Sequence, residues 1–295
     1  MIKTTVLTDN ISNKDELIAE WGLSLLIEFD GKKILLDTGA SGAFAHNAEQ
    51  LGTDLAEVDL AVLSHAHYDH SDGMAAFFDK NKKAKMYISP NAGENCYHIF
   101  RKSNDADAAE GKDIPYDENG EYIKYDGIAA GWLEKFKDRI EYSGEGVTEI
   151  AENVFLVPHT TPGLEKIGEK VGQYIKVGEN YLPDGYAHEQ SLVIKTPDGI
   201  VIYNGCSHGG VDNIIREAQE AFPGQKVLCM TGGFHLFMFD EDEVRRQAER
   251  MAATGIKDIV TGHCTGEKQY FQLADELAKY GVRSVRMECG LKFTL

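Results

Sequence analysis

Short apolar runs bounded by turn residues alternate along this chain with longer stretches of helical spacing. Lys3 to Thr8 and Leu23 to Phe29 predict strands. Asp30-Gly31 predicts a two-residue hairpin turn, from which Lys32 to Asp37 returns. A helix over Ala43 to Leu51, a buried strand over Asp59 to Leu63, a helix over Gly73 to Lys80 and a strand over Ala84 to Ser89 come next. Val154 to Pro158 is a further strand. A second hairpin, Ser191 to Thr196 and Ile200 to Tyr203 about Pro197-Asp198-Gly199, repeats the pattern of residues 23–36 and implies two similar β-rich halves. Helices over Val211 to Ala221, Asp240 to Ala253 and Glu267 to Tyr280 then alternate with strands over Lys226 to Met230, Ile256 to Thr261 and Val282 to Met287. Hairpins followed by strand–helix alternation define an α/β protein with mixed sheets.

Two stretches interrupt the pattern. From Pro90 to about Arg139 the chain is polar, rich in charge and tyrosine, and longer than an ordinary connection. It reads as a partly helical insertion, a lid over residues 90–140 of a single domain spanning 1–295, or else as a solvated excursion. His159 to about Gln190 reads as a Gly-rich loop.

Chemistry concentrates directly after the apolar run Leu60-Ala61-Val62-Leu63, in Ser64-His65-Ala66-His67-Tyr68-Asp69-His70-Ser71. So many imidazoles and carboxylates cannot all leave water without polar partners or a metal. His65 and His67 point the same way on an extended segment, and a tight turn brings Asp69 and His70 round the same point. Imidazole nitrogen beside carboxylate oxygen suits Zn²⁺ or a related divalent ion. Later strands also end in candidate ligands: Gly205 leads to Cys206 and His208, Gly232-Gly233-Phe234 to His235, and Thr261-Gly262 to His263. Strand ends on one sheet edge converge, so His263 and at least one of Cys206 and His208 are expected to be ligands. Asp37, at the tip of its strand, is either a helix cap or part of the site.

Composition narrows the function. The 295 residues are 42% hydrophobic and 26% charged, and 48 acidic residues against 30 basic ones give a formal charge of −18. That balance argues against nucleic acid or an anionic membrane as partner and leaves room for a small anionic molecule bound locally. No apolar run is long enough for a signal peptide or a membrane span, and five scattered cysteines do not form a disulfide framework. A cytoplasmic enzyme is expected, with a homodimer among the oligomeric states left open.

The cluster at His65, His67, Asp69 and His70 resembles the His-x-His-x-Asp-His motif of the metallo-β-lactamase superfamily, and the resemblance extends through Leu36-Asp37-Thr38-Gly39 and Thr261-Gly262-His263. Gly205 to His208, Gly232 to Leu236 and His263 to Gly266 are similar to a subgroup that includes dihydropterin-ribofuranosylaminobenzene phosphate synthases of methanopterin biosynthesis. The resemblance implies an αββα sandwich of two mixed β-sheets flanked by helices. It also implies two divalent ions, Zn²⁺ first with Mn or Fe as alternatives. One would sit on His65, His67 and a ligand from the later half, the other on Asp69, His70 and His263. Asp37 would orient a ligand or water, and His235 would contact substrate or transfer a proton. Tyr68 would wall the pocket or pack in the core. Two positions depart from the family pattern. Cys206 stands where a bridging aspartate is usual, and the third histidine motif is absent. His188 or Glu189 is favoured for that role, with His159 behind them, while His46 and His98 read as solvent-facing. The implied activity is hydrolysis of a phosphoester by a metal-activated water. The alternatives are a pterin-precursor condensation releasing pyrophosphate, a redox diiron protein, which Cys206 argues against, and a non-enzymatic metal-binding module.

Overall fold

A computed structural model describes residues 1–102 and 114–295. Strands β1 (Ile2–Thr8), β2 (Ser24–Phe29) and β3 (Lys32–Leu36) form an antiparallel meander. Asp30 and Gly31 both have positive φ, 47° and 75°, the turn geometry whose twist matches that of the flanking strands. β4 (Leu60–Val62) and β5 (Lys85–Ile88) add parallel to β3. β6 (Cys96–Arg101) and β7 (Glu121–Tyr125) leave this sheet, and β8 (Ile140–Tyr142) returns to it beside β5.

The second sheet begins with β9 (Thr148–Ala151) and β10 (Val154–Pro158). Next in the chain come β11 (Gln173–Val177) and β12 (Asn180–Pro183), which pair with β6 and β7 in a four-stranded antiparallel sheet of order β12-β11-β6-β7. The second large sheet continues through the hairpin β13 (Gln190–Thr196) and β14 (Gly199–Asn204), then the parallel strands β15 (Val227–Gly233), β16 (Asp258–Gly262) and β17 (Arg283–Arg286). β18 (Lys292–Thr294) closes back onto β1.

Alternation along the strands sorts side chains into layers. Leu25, Ile27, Ile34, Leu36 and Val62 of the first large sheet meet Leu156, Leu192, Ile194, Val201 and Tyr203 of the second in one buried core. Leu26, Leu35 and Ala61 face the other way, under the helices Ala43–Gln50 and Met74–Lys80 with Phe44, Phe77 and Phe78. Val193, Ile200 and Ile202 lie under the helices Val211–Ala221, Glu241–Ala253 and Glu267–Ala278. The result is helix, sheet, sheet, helix, the αββα sandwich.

Both interrupting stretches differ from their sequence expectation. The described part of residues 90–140 contains β6 and β7 and only one short helix, Trp132–Lys135, with a 3₁₀ turn after it; residues 103–113 lie outside the described residues. Residues 159–190 are not one loop but a helix, Glu165–Val171, followed by β11 and β12. β6 and β7 are partly covered on both faces, so no clean in–out alternation marks them in the sequence. What drives them to strand is their aromatic content, Tyr97, His98, Phe100 and Tyr122 among it.

Candidate metal centre

The C-terminal ends of β3, β4, β14, β15 and β16 share one edge of the sandwich, and each delivers a polar residue there. After β4 the chain stays extended through His67 (φ −94°, ψ 151°) and then enters the helical turn Tyr68–Ser71. His65 and His67 therefore precede the turn, and Asp69 and His70 lie in it. Asp37, fully buried at the end of β3, accepts hydrogen bonds from the Ser64 amide and hydroxyl and from His70 Nδ1, each at 2.7 Å. Ser64 Oγ, having given its proton to Asp37, accepts from His65 Nδ1 at 2.8 Å. One carboxylate thus fixes the tautomer of two imidazoles and turns the Nε2 lone pair of both inward.

His263 is held the same way from across the sheet. Asn10 Oδ1 accepts from its Nδ1 at 2.9 Å and Asp9 Oδ2 from its backbone amide at 2.8 Å. Its Nε2 faces His70 Nε2 at 3.2 Å and Asp69 Oδ2 at 3.3 Å, and Cys206 Sγ lies 3.1 Å from His70 Nε2. Two imidazole nitrogens, a carboxylate and a thiol converge here, a donor set that a cation satisfies.

The donors fall into two buried sets, each with ligand atoms within 4.8 Å of one another: His65, His67 and His208, and Asp69, His70, Cys206 and His263. Cys206 also groups with His208 and His235, so its thiol stands between the two. His208 Nε2 lies 3.3 Å from His65 Nε2, and its Nδ1 has no hydrogen-bond partner among the described residues. Burial and the surrounding imidazoles push the pKa of both His65 and His208 far down, which keeps them neutral and able to donate a lone pair. Burial opposes ionisation of Asp69, but His70 and His263 outweigh it and hold the carboxyl below the usual carboxylate range. Burial, with Cys264 and Asp69 beside it, pushes the Cys206 thiol well up, so its thiolate form requires a bound cation.

Of the candidates for the missing third histidine, the structure brings none to His65 and His208. His188 stands behind His67, its Nδ1 accepting from the Ala66 amide at 3.2 Å and its Nε2 2.9 Å from Asp184 Oδ2, with Cys96 Sγ close by. Both of its nitrogens are taken by protein, and it groups with His67, Cys96 and Asp184 instead. Glu189 accepts from the amides of His208 and Gly209 and from His159, which also bonds Glu217. His208 occupies the position beside His65 and His67. His235 sits next to His208, ring centroids 4.3 Å apart, with a buried Nδ1 that no described residue bonds. Tyr68 is half-buried on the cavity wall under the Lys124 ammonium, 4.7 Å from its ring. His46 is exposed, but His98 faces the cavity and stacks on Phe100 at 4.0 Å, which corrects its solvent-facing reading. Asp9, Asn10, Cys96 and Asp184 carry no local signal, since what they hold is distant in sequence.

Asp37, Ser207, His235 and His263 all have positive φ, between 48° and 59°. Left-handed backbone at non-glycine residues is costly and collects where side-chain aim matters. Gly205 shows how closely the two halves meet here. A Cβ on it would lie 2.1 Å from Ser64 Oγ, 2.9 Å from Asp37 Oδ2 and 3.0 Å from His70 Cε1. Gly205→Ala is expected to lower stability by about 1–3 kcal/mol and to reduce bound metal, read by thermal melting and elemental analysis of one preparation.

With this geometry in place, sequence comparison assigns the class: the chain belongs to the metallo-beta-lactamase superfamily, whose profile matches residues 22–174. This is a superfamily of enzymes that bind divalent metals. The chain is 27% identical over 270 residues to the 7,8-dihydropterin-6-methyl-4-(beta-D-ribofuranosyl)-aminobenzene-5'-phosphate synthase of Methanocaldococcus jannaschii, covering 85% of this chain and 82% of that protein. It is 29% identical over 274 residues to an uncharacterized protein of the same organism, covering 93% and 94%. Among solved structures, Tm1679, described as a metal-dependent hydrolase of the beta-lactamase superfamily, superposes with a TM-score of 0.78 at 25% identity over 100% of this chain and 99% of that one. Among the described residues no helix is long and apolar enough to cross a membrane.

Proposed function

We propose that this protein is a metal-dependent hydrolase of a small, phosphorylated substrate, carrying two divalent ions on the donor sets His65/His67/His208 and Asp69/His70/Cys206/His263. The observation that carries this reading is the pair of buried donor sets, with the Cys206 thiol of one also grouped with His208 of the other, at the floor of a cavity of about 700 Å³. Imidazole, thiolate and carboxylate together suit Zn²⁺ better than Mn²⁺ or iron. Such ions, when bound, supply Lewis acidity toward a phosphoryl oxygen and acidify water. The chain's own residues set the geometry. Asp37 keeps His65 and His70 aimed inward, Asp9 and Asn10 do the same for His263, and Glu189 holds the turn that carries His208. His235, whose Nδ1 no described residue bonds, is placed to contact the substrate or pass a proton to the leaving group. The described part of residues 90–140 lies along the cavity and serves as its cover.

A second reading, a synthase that condenses a phosphorylated pterin precursor with release of pyrophosphate, is supported by the identity to the Methanocaldococcus jannaschii synthase. One experiment separates them. Protein purified without chelator is analysed for metal, with Cys206→Ala and His208→Ala alongside, and assayed on single phosphoesters. Hydrolysis predicts about two zinc ions per chain, fewer in at least one variant, and phosphate or alcohol release from one substrate alone. Pyrophosphate appearing only with two co-substrates would replace this reading by the second.

A further inference from the structure

We infer that Cys96 is the positioning residue of His67, and that through it the small sheet keeps one metal donor in aim; this deepens the proposed function and rests on it. The other imidazoles of the two donor sets are already anchored. Asp37 reaches His70 directly and His65 through Ser64, Asn10 holds His263, and Glu189 holds the turn of His208. His67 is the one left. It groups with His65 and His208 on one side and with Cys96, Asp184 and His188 on the other, all of them buried. An imidazole shared by two such sets turns one nitrogen to each, and the nitrogen facing away from the centre needs an acceptor to fix it.

The outer set is already committed to hydrogen bonds. The Ala66 amide can only donate, so His188 Nδ1 accepts from it at 3.2 Å and the ring's own proton lies on Nε2. That proton goes to Asp184 Oδ2 at 2.9 Å, with Cys96 Sγ 3.7 Å from the same nitrogen. The Tyr186 amide fixes Asp184 in turn, donating to its Oδ1 at 2.7 Å. His188 thus has no lone pair to offer a cation, and what faces His67 is the Cys96 sulfur, with which its ring hydrogen-bonds. Backbone contacts bring the sulfur there. Cys96 opens β6, and its carbonyl accepts from the Asp126 amide at 3.0 Å, while the Asp126 carbonyl accepts from the Tyr68 amide at 3.1 Å. His67 itself forms a β-bridge with Gly127, where a Cβ would lie 3.1 Å from the Cys96 amide nitrogen. Sulfur is a weak acceptor in water, but in a buried, low-dielectric setting the same contact is stronger.

Zinc affinity by chelator competition and the visible spectrum of the cobalt-loaded full chain test this without turnover. Cys96→Val fills the space but cannot accept a hydrogen bond, whereas Cys96→Ser packs less well but can. Cys96→Val is expected to weaken one of the two ions about 10–100-fold and to change the cobalt bands, and Cys96→Ser to keep most of the affinity. The reverse order, or equal affinity in all three proteins, would leave Cys96 a packing residue and overturn the inference. Melting of the metal-free proteins checks that both variants fold. A further measurement needs no variant: imidazole nitrogen NMR of the zinc-loaded wild type should show His188 protonated on Nε2 and the outer nitrogen of His67 protonated. His188 protonated on Nδ1, or a third zinc ion that Cys96→Val removes, would make the outer set an ion site and overturn the inference as well. A wild type that binds no divalent ion defeats the proposed function and this inference with it, whereas two ions held equally well by Cys96→Val defeat the inference alone.

Discussion

Asp69→Asn is expected to lower kcat/KM for phosphoester hydrolysis by about 10³-fold, equivalent to about 4 kcal/mol of transition-state stabilisation, and to release part of the bound metal. Asp69 provides the carboxylate in a set whose other members are two neutral-capable imidazoles and a thiol that burial holds protonated. Asparagine keeps the shape and the helical turn Tyr68–Ser71, so folding is preserved while the negative charge beside His70 and His263 is lost. The carboxylate oxygen lies 3.3 Å from His263 Nε2 and 3.8 Å from His70 Nε2, and no other acidic side chain belongs to that set. Elemental analysis and steady-state kinetics on the same sample check the result. Full metal content with full activity would remove Asp69 from the centre.

The second large effect lies outside the donor sets. His159 is buried between Glu189 and Glu217, and Glu217 additionally accepts from the amides of Thr160 and Thr161. Removing the imidazole in His159→Ala leaves two carboxylates buried together, a change expected to cost about 3–5 kcal/mol. Burial lowers the affinity of His159 for a proton, but the two glutamates outweigh it and raise its pKa from 6.5 to about 10. Because the folded pKa is raised, this contribution is complete below pH 6.5 and is lost as pH rises through 10. The glutamates run the other way: burial opposes their ionisation, His159 overcomes it, and their contribution, present above about 4.5, fades as pH falls. Denaturant unfolding at pH 6 and pH 10 should therefore show a smaller gap between wild type and variant at the higher pH. A gap that is the same at both would mean that His159 is neutral in the folded protein.

Much of this was legible in the sequence, for reasons that differ by element. The hairpins at residues 23–36 and 191–203 announce themselves because turn residues, Asp30-Gly31 in one and Pro197-Asp198-Gly199 in the other, separate mostly apolar strands. The His65–His70 cluster is legible because its geometry is local: an extended dipeptide step, then a turn. The small sheet was not, since β6 and β7 are partly covered on both faces and the pairing of β11 with β6 joins residues far apart in the chain. His98 read as solvent-facing for the same reason, its cavity being defined by that sheet. Nor could sequence choose between Cys206 and His208, or among His188, Glu189 and His159 for the missing third histidine, because only the Asp184 and Cys96 contacts, distant from the histidine cluster in sequence, take His188 aside.

The anchoring of His263 by Asp9 and Asn10, 254 and 253 residues away, also sets an order of events in time. His70 leaves the ribosome 193 residues before His263 does. At roughly 5–20 residues per second that is about 10–40 s during which a histidine-rich turn exists with its counterpart ligands still unsynthesised. Such non-local closure is slow in any chain, because the entropy of the loop must be met before the contact forms. The donor set is therefore completed only when segments 193 residues apart in the chain have met, long after its first histidines have emerged.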